Sequence, residues 1–268
     1  MPDKLLHKEL SYQLVGCVFD VHNEVGPGLR EECYQQAMEH RLCQKGIPFL
    51  AKPATRREFI YRGQSVDVFE PDLVVAERLV VELKHHPEGF APENFSQVIS
   101  YLKFWKFDLG LLINFAMDSA IIERVPFLPQ EAALDENYDH ISDVVPETHK
   151  PVLRAIREGV LRLFHDVGLG YTCTTYRSLA QAEWQAAGLT CESDSHVEPV
   201  FRERRLPTSR ISPIIVDHKV CVQVDAVTDE ISARAIRTMQ THLRLTGCEI
   251  GLVVCFGKTR FMIRGVRP

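Results

Sequence analysis

Over residues 7–24 the apolar positions recur at helical spacing, with Leu10, Leu14, Cys17, Val18, Val21 and the following Val25 on one stripe. Gly26-Pro27-Gly28 stops that helix. A second helix is predicted over residues 29–44, with Tyr34, Ala37, Met38 and Leu42 facing inward and Gly46 near its end. The period then changes. Residues 56–61 and 65–69, on either side of a turn at Arg62-Gly63-Gln64, read as strands. Residues 73–75 and 79–81 are apolar and rich in β-branched side chains, and the polar Ala76-Glu77-Arg78 between them predicts a hairpin of two buried strands. Residues 94–107 return to helical spacing, with Phe95, Val98, Leu102 and Trp105 as the core stripe. Residues 109–115 form a continuous apolar strand, and residues 119–127 a last strand at a sheet edge.

The hairpin carries the chemistry. Asp72 precedes its first strand, and Glu82-Leu83-Lys84 ends its second. Side chains alternate along a strand, so Glu82 and Lys84 point one way while Leu83 points into the core, and the hairpin brings Asp72 beside them. Carboxylates and an ammonium at the end of an apolar hairpin are costly unless something uses them. Mg²⁺ would, since it takes oxygen ligands; Asp72, Glu82 and the Leu83 carbonyl make an open set for it. Lys84 could then orient or deprotonate the attacking water, or stabilise charge developing on a phosphoryl group. The same residues would also serve as a structural ion pair at a strand end.

The surrounding motifs discriminate between these readings. Gly28-Leu29-Arg30-Glu31-Glu32-Cys33-Tyr34 matches a GxxExxY signature, and Pro71-Asp72 with Glu82-x-Lys84 matches a PD-(D/E)XK core. The Gln97-x-x-x-Tyr101 spacing and the run from Gly110 to Phe115 follow in order. On these motifs, residues 6–125 resemble the GxxExxY family, which is similar to PD-(D/E)XK nucleases. The resemblance implies that Asp72, Glu82 and Lys84 are catalytic, that Glu31 is an accessory acid on a helix, and that Gln97 faces the site from another helix. It implies Mg²⁺ or Mn²⁺ as cofactor and nucleic acid as substrate, DNA ahead of RNA. By residue type alone, Glu31 is equally a helix-start acid favoured by the helix dipole.

Residues 129–148 differ from what precedes them. Six Asp and Glu occur there with no Lys or Arg, bracketed by Pro129 and Pro146, which reads as a linker. Beyond it the first pattern returns in worn form: Val25-Gly26-x-Gly28 as Val167-Gly168-x-Gly170, Tyr34 as Tyr176, and Gly110 to Phe115 as Gly251 to Phe256. The chain is therefore read as α/β, two tandem PD-(D/E)XK nuclease-like domains, each a mixed β-sheet flanked by helices: residues 1–128, an acidic linker 129–148, and a degenerate copy 149–268. Placing Gly251 over Gly110 puts Pro213 at the Asp72 position, Gln223 at Glu82, Asp225 at Lys84 and Thr238 at Gln97; Glu31 becomes Cys173. The second copy has lost the catalytic set.

Charge divides the copies further. Residues 1–128 carry 14 Lys and Arg against 18 Asp and Glu, whereas residues 149–268 carry 17 against 12. Arg202, Arg204, Arg205 and Arg210 lie close together in the positive half and suit phosphate contacts, and Tyr101 in the first half is grouped with them as a nucleic-acid contact. The expectation is a Mg²⁺-dependent nuclease whose inactive copy binds substrate or completes an intramolecular pseudo-dimer. The competing reading is a non-catalytic nucleic-acid-binding or protein-interaction module that retains a fossil site. No apolar run reaches the roughly 18 residues of a membrane span, and the amino terminus lacks a leader core, so no membrane association and a cytoplasmic location are expected. The eight cysteines show no CxxC pair and read as reduced core residues.

Overall fold

The computed structural model describes residues 6–268; residues 1–5, part of the amino-terminal stretch that reads as lacking a leader core, lie outside the described residues. The chain forms two compact units, Met1–Phe59 with Asp67–Pro129, and Ile60–Val66 with Gln130–Pro268. Among the described residues no helix is long and apolar enough to cross a membrane.

The first unit begins with α1 (Lys8–Val25) and α2 (Glu31–Gln44), followed by β1 (Phe49–Ala51), by β2 (Arg57–Tyr61) and β3 (Gln64–Phe69), whose Ile60–Val66 portion counts with the second unit, and by β4 (Leu73–Val75) and β5 (Leu79–Lys84). Then come α3 (Pro92–Trp105), β6 (Leu109–Asn114) and β7 (Ile121–Pro126). Its sheet runs β1-β4-β5-β6-β7, with β2 and β3 as a separate two-stranded ribbon. Only β5 and β6 are parallel, and α3 supplies the crossover that a parallel pair needs. Alternation assigns the two faces of the sheet. Leu79, Val81, Leu83, Leu111 and Ile113 pack with Leu14, Val18, Tyr34 and Met38 of α1 and α2. The other face meets α3 closely, since a Cβ on Gly110 would lie 2.5 Å from Val98 Cγ1. Glu82 and Lys84 share the parity of Val80 and so belong to the α3 side.

The second unit adds β8 (Ala133–Asn137), α4 (Lys150–Arg162) continued by a π-helical turn (Leu163–Val167), and α5 (Cys173–Ala186). Five two-residue strands follow: β9 (Cys191–Glu192), β10 (His196–Val197), β11 (Val200–Phe201), β12 (Arg204–Arg205) and β13 (Ser209–Arg210). The unit closes with β14 (Ile214–Val216), β15 (Val220–Ala226), α6 (Ala233–Thr246), β16 (Ile250–Phe256) and β17 (Arg260–Val266). Its main sheet runs β8-β17-β16-β15-β14-β9. The hairpin β14–β15, the parallel pair β15–β16 and the crossover helix α6 repeat β4–β5, β5–β6 and α3 position for position.

The residues that both copies keep hold the fold. Tyr34 donates its hydroxyl to the Gly26 carbonyl at 2.8 Å, accepts from Leu29 N–H, and stacks on Phe115 with ring centroids 4.6 Å apart. Tyr176 donates to the Gly168 carbonyl at 2.5 Å, accepts from Tyr171 N–H, and stacks on Phe256 at 3.9 Å. Gly26 and Gly168 both have positive φ, 74° and 72°, which an L side chain disfavours. Thus the shared glycine and tyrosine pin the loop that starts the second helix of each copy.

The sequence reading is corrected in three places. The acidic stretch 129–148 is not a plain linker, because β8 pairs parallel with β17 and Ile141 is buried against Gly265. Backbone pairing of β8 and the single buried Ile141 seat it, although Leu134 and Val144 stay exposed. The short strands β9–β13 had no apolar run to mark them. Finally, only Cys17, Cys221, Cys248 and Cys255 are buried; Cys33 and Cys43 lie on the solvent side of α2, where helical spacing turns them away from the core.

Candidate active site

The register Leu73↔Val81 places Asp72 opposite Glu82 at one end of the β4–β5 hairpin. Both carboxylates are buried, at 2% and 3% exposure. Asp72 Oδ2 accepts from the Leu83 N–H at 2.7 Å, and Asp72 Oδ1 from Lys52 Nζ at 2.5 Å. The loop after β1 is tied to the same corner, with Lys52 N–H donating to the Asp72 carbonyl and the Thr55 hydroxyl to the Pro71 carbonyl at 2.6 Å. Lys84 Nζ donates to Glu82 Oε1 at 2.7 Å, while Glu82 Oε2 is buried with no hydrogen-bond partner. Leu83 points the other way, into the apolar core.

Electrostatics follow from this crowding. Burial, then the Asp72 charge, raises the Glu82 carboxyl above its ordinary 4.5, and the nearby Lys84 lowers it in part. Glu31, the first residue of α2, is raised by burial and then by Asp72, so its carboxyl shares the same field. Burial pulls Lys52 down, but its bond to Asp72 and the charges of Asp72, Glu31 and Glu82 together outweigh this and hold the ammonium above its usual value. Lys52 also lies 3.8 Å from Glu31 Oε1.

From α3, Gln97 Nε2 donates to the Tyr101 hydroxyl at 2.8 Å, and the Tyr101 hydroxyl is raised by burial and then by the charge of Glu82. Gln97 is thereby tied to a hydroxyl that feels the charge of Glu82. Tyr101 itself is only 7% exposed, edge-on to Phe69 and Trp105, so its ring is core and not a surface for a base. That corrects its assignment as a nucleic-acid contact: its place on the inward stripe of α3, one turn from Gln97, decides its role. Arg202, Arg204, Arg205 and Arg210 are all exposed, with Arg205 3.1 Å from Glu198 and Arg210 paired to Asp194.

Two residues that the sequence reading passed over support the site. Lys52 is twenty positions from Asp72, and nothing local marks it. Asn114 is fully buried; its amide bonds the His86 carbonyl at 2.8 Å and its oxygen accepts from the His86 and Ala116 N–H groups, fixing the chain just past Lys84. A lone asparagine inside an apolar strand was its signal.

The donor set fits a hard divalent cation: two adjacent carboxylates, one with a buried partnerless oxygen and one already matched to an ammonium. Among the described residues no cluster of three His, Cys, Asp or Glu has metal-holding geometry, so solvent and backbone oxygens would complete the shell. In the second unit Ile214↔Val222 places Pro213 opposite Gln223, whose amide donates to Asp225 at 2.8 Å; Cys173 and Thr238 stand where Glu31 and Gln97 stood. The carboxylate pair and its lysine have no counterpart there.

No curated protein and no solved structure matches the chain. A family model described as PD-(D/E)XK nuclease superfamily matches it twice, over residues 8–125 and 150–267, one match to each copy of the fold. The chain belongs to the PD-(D/E)XK nuclease superfamily.

Proposed function

We propose that the first unit is a Mg²⁺- or Mn²⁺-dependent phosphodiesterase acting on nucleic acid, DNA ahead of RNA, and that the second is an inactive copy that contributes binding. The observation that carries this reading is the buried, partnerless Glu82 Oε2 beside Asp72, with Lys84 on the same edge. Asp72, Glu82 and the Leu83 carbonyl would hold the cation, which supplies charge neutralisation at the scissile phosphate. Lys84 orients the attacking water and screens charge developing on the phosphoryl oxygens. Glu31 and Gln97 position these groups, Glu31 through the field it shares with Asp72 and Gln97 through Tyr101.

Cleavage of single- and double-stranded DNA and RNA, with Mg²⁺, with Mn²⁺ and with chelator, tests the proposal. Metal-dependent cleavage that disappears in Asp72→Ala and Glu82→Ala, together with loss of divalent binding by calorimetry, is the expected result. Binding without cleavage of any substrate would favour a module with a fossil site.

A further inference from the structure

The second copy is more than an eroded site. Where the first has its carboxylates, the second has a cavity of about 510 Å³, whose lining includes Cys173, Thr174, Arg177, Arg210, Ser212 and Gln223. The two copies correspond closely here: Cys173 opens α5 as Glu31 opens α2, and Gln223 sits on β15 as Glu82 sits on β5. Every acidic ligand position of the first copy is neutral in the second, by the changes to Pro213, Gln223 and Cys173. Burial pushes the Cys173 thiol up to about 11, so it adds no negative charge at neutral pH.

What has been added is donors. Arg177 bonds the Ser212 carbonyl through one nitrogen, which leaves the rest of its guanidinium fork toward the cavity it lines. Arg210 is paired with Asp194, the one carboxylate that lines the cavity, while Asp225, which stands where Lys84 stood, accepts from the Gln223 amide at 2.8 Å, so the two guanidiniums of the wall meet one lining carboxylate and one behind it. The Ser212 hydroxyl donates to Gln223 Oε1 at 3.0 Å and fixes the amide, and the Thr174 hydroxyl lies on the same wall. Guanidinium and hydroxyl groups around a cavity of this size suit a phosphate ester, which arginine can grip with two parallel hydrogen bonds. A divalent cation finds no ligand set among them.

We propose that this cavity is a metal-independent phosphate-binding site for a nucleotide unit, free or within a nucleic-acid strand. The fold that holds a carboxylate pair in the first unit here holds guanidinium and hydroxyl donors instead. The choice of a nucleotide as the phosphate carrier rests on the nuclease reading of the first unit; binding of phosphate itself does not.

The test uses the full chain in EDTA, so that the first site contributes no metal-dependent binding. Calorimetry would follow inorganic phosphate, a nucleoside monophosphate and a short oligonucleotide, with wild type, Arg177→Gln, Arg210→Gln and Gln223→Glu. We expect binding of the nucleoside monophosphate and the oligonucleotide, weakened at least about tenfold in Arg177→Gln and in Gln223→Glu, the latter because it returns a carboxylate to the wall. Thermal melting of each variant separates loss of binding from loss of fold, and Arg210→Gln, at an exposed side chain of the wall, is a second variant expected to weaken binding while leaving the fold intact. Phosphate competing as well as the nucleotide would support the site with phosphate as its whole determinant. No binding of any of the three in EDTA, or full binding by folded Arg177→Gln and Gln223→Glu, would overturn it. Neither outcome touches metal-dependent cleavage, which is read separately in the Asp72 and Glu82 variants.

Discussion

Lys52 Nζ lies 2.5 Å from Asp72 Oδ1 and 3.8 Å from Glu31 Oε1, so one ammonium links two acidic side chains at the candidate metal site. An ammonium there supplies positive charge to carboxylates that would otherwise repel each other. Lys52→Met should therefore raise affinity for Mn²⁺ about tenfold or more, because the cation no longer competes with a resident charge. The same variant should melt at lower temperature in EDTA and recover when Mn²⁺ is added. Calorimetry and melting curves check both, and a fall in Mn²⁺ affinity would show that Lys52 supports the ion and does not compete with it.

Lys84 makes its bond to Glu82 from the edge facing the proposed phosphate. If it acts on the attacking water or on transition-state charge, Lys84→Ala lowers the cleavage rate by about a hundredfold or more while nucleic-acid affinity stays near wild type. Single-turnover rates and binding isotherms on one substrate separate the two. Equal losses in rate and affinity would instead make Lys84 a phosphate anchor.

The raised Glu82 carboxyl has a consequence for stability without metal. A carboxyl raised on folding binds more protons in the native state than in the unfolded state, so its contribution is fully present below the ordinary 4.5 and is lost as pH rises through the folded value. In EDTA, denaturant stability should fall between roughly pH 5 and pH 8, and Glu82→Gln should flatten that fall. A slope unchanged by the substitution would show that Glu82 is not its source.

The exposed arginines of the second unit should act through phosphate. Replacing Arg202, Arg204 and Arg205 by Ala is expected to weaken nucleic-acid binding and to reduce the salt slope by roughly 0.9 for each lost contact. Fluorescence anisotropy against salt concentration measures it, and an identical slope would mean that this segment does not touch the backbone. Restoring Glu at 223 and Lys at 225 should create no cleavage, because Pro213 leaves the opposite strand without a carboxylate.

The glycines that begin the matching strands carry different packing loads. A Cβ on Gly110 would lie 2.5 Å from the branched Val98, whereas one on Gly251 would lie 2.9 Å from the flexible Met239 side chain. Gly110→Ala should therefore destabilise its unit by about 1–3 kcal/mol, and Gly251→Ala by less, since methionine adapts. Chemical denaturation of both variants tests the order.

How much of this was legible in the sequence depends on how local each cause was. Period and composition alone located α1, α2, α3, the β4–β5 hairpin and β6, because each buries a continuous apolar face. Alternation on β5 put Glu82 and Lys84 on one side and Leu83 on the other, and the repeat was visible because Gly26, Gly28, Tyr34 and Phe115 recur at matched spacing. Those recurring residues mark the shared fold, while the changed ones mark the lost carboxylates.

Tertiary structure alone decided the rest. Lys52 meets Asp72 only because β1 pairs with β4, a contact between segments twenty residues apart that no local pattern encodes. Tyr101 reads from the sequence as a nucleic-acid contact, and it is core because Phe69 and Trp105 pack edge-on against it. The acidic stretch looked like a linker because charge dominates its composition, yet one strand and Ile141 seat it on the second sheet. The cavity at Arg177 and Gln223 is assembled from α5, β13 and β15, and its chemistry exists only where those elements converge.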